Sequence, residues 1–287
     1  MKQSLSQTPS SPAPTLSRTE TFRRFNHGIC SVSLLVRLIT ATQQHRGSTM
    51  GYLSGEPAFR PRIAALEGKI SRTLELLEAL DSETNFGNAG DDLSHIHSDW
   101  KTIVLGWRRD QILHNFQFHG HLVNALNRQL KERMRTYLLP TLTKWNGASV
   151  PLLETLFIQL PQTIELIATL RGLCTNVAVI QACGSDSHQQ IAYLLKEIPQ
   201  QHDALLQAVD EGIPALQGLK QQRKELQKFL FTIQMSILDK SDISVDSSFL
   251  FQLSSDVIDA HWRLLEDGIH TVEALGYDLI LGKVVTD

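Results

Sequence analysis

The chain has 287 residues, 42% of them hydrophobic and 20% charged. That apolar share excludes wholesale disorder and fits one or two globular domains. Twenty-seven basic residues against 30 acidic ones leave a net charge of −3, too balanced to grip nucleic acid or an anionic membrane by field alone.

Compartment signals are few. Cys30, Cys174 and Cys183 are an odd number and form no CxxC pair. A reduced, cytoplasmic setting is expected rather than a disulfide framework. Cys174, between Leu173 and Thr175, reads as a small core residue. Residues 1–20 carry Ser, Thr, Pro and Gln without an apolar run, so a disordered tail is expected and a signal peptide is not. The strongly apolar stretches Ser31–Ile39 and Ile103–Trp107 fall far below the ~20 residues of a spanning helix. No membrane anchor is expected.

Periodicity predicts an all-α fold of eight helices. The first is predicted over about 21–53, ending at Ser54-Gly55-Glu56-Pro57. The second spans about 58–81. The loop Asn85–Gly90 precedes a third, capped by Asp91 or Asp92 and running to about Trp107. The fourth covers about 110–139 and carries Ile112, Phe116, Val123, Leu126, Leu130, Met134 and Leu138 on one face. Pro140 and Asn146-Gly147 are expected to stop it. The fifth spans 150–183 with a kink expected at Pro161. Gly184-Ser185-Asp186 reads as a C-cap followed by an N-cap, opening a sixth helix to about Val209. The seventh covers about 213–239, with Leu216, Leu219, Leu226, Leu230, Ile233 and Ile237 in register. The eighth covers about 247–281. No alternating strand pattern or Asn-Gly hairpin competes with this reading.

The halves are alike. Arg46-Gly47 in the first helix matches Arg171-Gly172 in the fifth, 125 residues on, and Ile63–Leu66 matches Ile191–Leu194 at an offset of 128. The order suggests duplication: two four-helix bundles sharing long helices, with halves at about 21–145 and 148–282 of one domain covering 21–282.

The arginines carry the chemistry. Arg46 continues the stripe Leu35, Ile39, Thr42, and Arg171 continues Leu160, Ile164, Ile167. A guanidinium on a core stripe must find anionic or carbonyl partners, because a bare buried charge costs several kcal/mol. Two such forks together would clamp a small planar oxyanion. Alternatively, each pairs with a core carboxylate, with Glu165, Glu75 and Asp259 as candidates. Gly47 and Gly172 follow the arginines in mid-helix, where glycine costs roughly 1 kcal/mol against alanine, so each is expected to admit a close neighbour or ligand. Arg223, between Leu219 and Leu226, and Lys220 are secondary anion-site candidates, with an exposed or interface role as the alternative.

Other chemistries lack a pattern. His95/His97 and His119/His121 are i, i+2 pairs that point to different helix faces, and His114/His121 have no third ligand nearby, so no metal site is expected. HExxH, Walker A and GxSxG are absent, and neither an enzyme nor a cofactor is expected.

The stretch Ile39–Gly55, ITATQQHRGSTMGYLSG, resembles the first helix of the nitrate- and nitrite-sensing (NIT) domain family, with His45 where the family has glutamate before the arginine. The likeness continues through Phe59–Asp81 and Asn115–Leu130. Leu160–Gly172, LPQTIELIATLRG, and Phe249–Ile280 resemble helices of related chemoreceptor sensor modules. The second motif reads Arg-Gly-Leu-Cys-Thr-Asn rather than a Glu-Arg-Ala type. The resemblance covers about 21–282. It implies paired four-helix bundles with an arginine-lined anion pocket, in which Arg46 and Arg171 would be the clamp. Such domains usually precede an output module. None is read after Asp287, so the expected sensor binds nitrate or nitrite between its first and fifth helices and signals to a partner protein. The competing expectation is a ligand-free interaction or scaffold protein. Nucleic-acid and membrane binding are not expected. The long amphipathic helices are compatible with a homodimer, and Trp100, Trp107 and Trp262 are open between core and interface.

Overall fold

The computed structural model describes residues 16–83, 90–143, 149–210 and 216–283. The expected tail up to residue 15 and most of the Asn85–Gly90 loop lie outside them, as does Asn146-Gly147.

Among the described residues the fold is all-α, with eight helices. Helix α1 is Arg18–Leu53, preceded by Ser17, whose hydroxyl accepts from the Glu20 N–H. This Ser-x-x-Glu start resembles a capping box and places the helix three residues before the expected Thr21. A 3₁₀ turn, Pro57–Phe59, leads into α2, Arg60–Ser82. Helix α3 is Gly90–Gly106, so Asp91 and Asp92 lie inside its first turn rather than before it. Helix α4 spans 112–142, α5 spans 149–180, α6 is Ser185–Asp210, α7 spans 218–238 and α8 is Ser247–Leu281. Asp246 caps α8 through the Phe249 N–H, and Gly282 ends it at φ 68°.

Two expectations about proline change. Pro140 does not stop α4. A π-helical turn, Met134–Leu138, comes first, with the Leu139 N–H donating to the Met134 carbonyl. The widened turn lets the proline ring continue in the helix, which runs on to Leu142. Pro161 stands in the same relation to a second π turn, Thr155–Gln159. The kink expected at Pro161 thus falls beside a π turn in a helix that continues through both. Helix α5 also ends earlier than expected, at Gln181, which takes the left-handed φ of 53° in place of a glycine cap at 184.

Helices α1–α4 pack as one group and α5–α8 as another, joined where α1 and, to a lesser extent, α4 lie against α5 and α8. One hydrophobic core runs through both groups, from Phe25 and Leu77 to Leu226 and Val272. Trp100, Trp107 and Trp262 are all buried within the chain. The inter-group seam runs along α1, where Thr42, Gln43, His45, Arg46, Ser48 and Thr49 are buried among apolar neighbours. Polar side chains at that depth require partners.

Residues 150–180 correct the reading of apolar length. This helix is long and apolar enough to cross a membrane, and 67% of its most apolar window is buried inside the protein. Gln159, Pro161, Gln162 and Thr163 interrupt the apolar run in the sequence. Burial on most sides explains the composition of a central core helix.

Candidate functional site

Arg46 and Arg171 are each 1% exposed and lie near each other across the α1–α5 contact. Their surroundings differ. Arg46 donates from Nη1 to Glu165 Oε1 at 2.6 Å and from Nη2 to Glu165 Oε2 at 3.1 Å, a forked pair. Glu165 also accepts from Gln43 Nε2 at 2.8 Å and from Thr169 Oγ1 at 3.3 Å. Its carboxylate is therefore held on α5 from two positions of α1. The expectation of a core carboxylate partner holds here for Glu165. Glu75 is exposed on α2 and takes no part.

Arg171 has no such partner. Nη2 donates to the Gln43 carbonyl at 2.8 Å and Nη1 to Ser255 Oγ at 3.2 Å, both neutral acceptors. Among the described residues no carboxylate lies within ion-pair distance of it, and its Nε–H is buried without an acceptor. Burial, then the neighbouring Arg46 and Arg62 cations, pull its pKa down to about 9, against a weaker opposing pull from Asp259 and Glu165. Stacking supplies part of its environment. The guanidinium carbon lies 5.0 Å from the Phe116 ring centre in Arg46 and 5.1 Å from that of Phe251 in Arg171.

The glycines make this packing possible. A Cβ on Gly47 would stand 3.0 Å from the Phe251 ring and 3.3 Å from Arg171 Nε. One on Gly172 would stand 3.0 Å from both Met50 Sδ and the Phe116 ring. Each Arg-Gly pair thus opens the space that the opposite helix's arginine or its stacking ring fills.

Gln43 escaped the sequence reading although it sits three residues before Arg46, on the same helix face. It joins three helices: α1 through its own backbone, α5 through Glu165 and Arg171, and α8 by accepting from Trp262 Nε1 at 3.2 Å. Ser255 and Phe251, four residues apart on α8, were equally unforeseen.

A second polar chain adjoins Arg46. His45 Nδ1 and His119 Nε2 are 2.7 Å apart, and His119 Nδ1 is 2.7 Å from the Asn115 carbonyl. A carbonyl only accepts, so His119 Nδ1 carries a hydrogen, its Nε2 accepts, and His45 Nδ1 donates. Burial pushes both imidazoles toward the neutral form. The neutral form adds no charge to the arginine pair. His97 instead meets Glu78 near the surface, and no group of three His, Cys, Asp or Glu suited to a metal occurs among the described residues.

Arg223 and Lys220 are not brought to this site. Both are exposed on α7, where Arg223 lies 3.3 Å from the equally exposed Asp203.

No family model matches the chain, and no curated protein matches it. Among solved structures it is similar to that of the NasR transcription antiterminator, with a TM-score of 0.74 over 93% of this chain and 73% of that one. The two are 12% identical, so the likeness is one of fold.

Proposed function

We propose that this protein is a non-enzymatic regulatory sensor that binds a small oxyanion, nitrate or nitrite first, beside Arg171 between α1 and α5. One observation carries the reading. Arg171 is a fully buried cation with neutral acceptors only and an unused Nε–H donor, next to a second cation. An isolated buried charge costs several kcal/mol, and an anion at this position removes that cost. The resemblance of Ile39–Gly55 to nitrate- and nitrite-sensing domains supports the choice of ligand. The fold likeness to a transcription antiterminator supports a regulatory role.

Arg171 and Arg46, at the seam between α1 and α5, are the proposed ligand-binding residues. Binding there draws α1, α5 and α8 together through Gln43 and Ser255. It shifts a pre-existing equilibrium between arrangements of the two helix groups, which a partner protein reads. Thermal unfolding with millimolar nitrate, nitrite and other small anions tests this reading. A binding anion raises the melting temperature by mass action, and Arg46→Ala and Arg171→Ala each abolish the rise. An unchanged melting temperature for every anion contradicts it.

The Glu165–Arg46 pair favours a second reading: a helical interaction protein whose polar core is purely structural. On that reading Arg46→Ala lowers stability markedly and anions have no specific effect. The same melting series separates the two.

A further inference from the structure

We infer that Glu165 sets the charge selectivity of the anion site, admitting singly charged oxyanions and excluding doubly charged ones. The inference rests on the proposed anion-binding reading.

Charge balance carries the argument. The group consists of two buried guanidinium cations, Arg46 and Arg171, and one part-buried carboxylate, Glu165. One positive charge is left over. The next charges outward that act on Arg171 are Arg62 and Asp259, one of each sign, and the surplus stays at one. The two nearby imidazoles, His45 and His119, are driven toward the neutral form and leave it unchanged.

Geometry keeps Glu165 from acting as a free competitor. Both its oxygens are engaged by Arg46, and Gln43 and Thr169 donate to them as well. A carboxylate with four donors stays in place when a second anion settles beside Arg171. A single negative charge then neutralises the cluster. A double charge leaves one negative charge uncompensated at the seam, next to a fixed carboxylate, which disfavours its binding. The guanidinium fork itself does not discriminate by shape, because it accepts planar and tetrahedral oxyanions alike.

The test is calorimetric titration with sodium nitrate and sodium sulfate at constant ionic strength set with sodium gluconate. The proteins are the full-length wild type, Glu165→Gln and Glu165→Asp. Glutamine keeps an acceptor for Arg46 but removes the charge. The expected results are nitrate binding at least tenfold tighter than sulfate in the wild type, sulfate affinity raised at least tenfold in E165Q, and continued exclusion of sulfate in E165D. Sulfate binding as tight as nitrate in the wild type overturns the inference, as does sulfate exclusion by E165Q with nitrate still bound. Either outcome leaves the anion-sensor reading standing. Sulfate binding gained by E165D also overturns the inference, and that arm holds if E165Q does not fold. Absence of binding by any anion to the wild type overturns both.

Discussion

Two buried arginine clusters in this molecule look alike and differ in charge. At one end of α1, Arg133 forks onto Asp81, with His27 beside them, in a contact between α1, α2 and α4. At the seam between the two helix groups, Arg46 forks onto Glu165 in the same way. Both arginines leave Nε–H without an acceptor, so an orphaned Nε does not by itself mark a ligand site. What sets the seam apart is a second guanidinium, Arg171, that no carboxylate neutralises. In the first cluster the arginine has its own carboxylate, and the second is such a pair plus one cation. The lesson is that burial of an arginine says little until the opposing charges around it are counted.

The largest expected effect tests the first cluster. Asp81→Ala removes the acceptor as well as the charge, leaves Arg133 buried without its carboxylate and should cost about 3–5 kcal/mol in urea unfolding, with no rescue by added anions. Rescue by nitrate would erase the distinction between the clusters.

A pH profile reads the buried histidines instead of the arginines. His202 and His261 pack edge to face between α6 and α8. Burial, then the neighbouring His261, lowers the His202 pKa to about 4 from an unfolded value near 6.5. Between these values the unfolded chain binds the extra proton, so stability is full above about pH 6.5 and is lost as pH falls toward 4. The loss is up to about 3 kcal/mol from this group, and His202→Leu should flatten that part of the slope. His45, His119 and His261 shift in the same direction and sustain the remainder.

Glu165→Gln should destabilise the protein by about 1–3 kcal/mol in anion-free buffer, since Arg46 keeps an acceptor but loses the paired charge. Saturating nitrate should recover part of that loss, unlike at Asp81. The smallest effect is the sharpest contrast. Arg171→Met removes two hydrogen bonds to neutral acceptors and also an uncompensated cation. The net change in anion-free buffer should stay within about 1 kcal/mol. A loss of several kcal/mol would make Arg171 a structural residue like Arg133.

Much of the fold was legible in the sequence because eight helices leave a 3.6-residue apolar rhythm that short breakers punctuate. The failures share a cause. Pro140 is a helix breaker by local rule, but the π turn just before it lets the helix run on to Leu142. The apolar length of 150–180 was hidden by Gln159, Pro161, Gln162 and Thr163, of which the two glutamines are exposed on the helix's outer face. At the site, the two Arg-Gly pairs stood out because charge on a core stripe is anomalous anywhere, and Glu165 was within reach as a partner. The side chains that define the second arginine were not legible. Ser255 and Phe251 lie 84 and 80 residues from Arg171 in sequence, and only the packing of α8 on α5 brings them to it. Arg223 satisfied the same stripe rule and proved exposed, as did Lys220 three residues before it, because a stripe does not say how wide the buried face of its helix is.

The central claim is that Arg171 awaits an anion. Titration calorimetry of sodium nitrate into the wild type and into Arg171→Met, at matched ionic strength, tests it most directly. The account predicts a saturable isotherm with one nitrate per chain for the wild type and no heat of binding for the variant. Equal isotherms for the two proteins, or none for either, would contradict it.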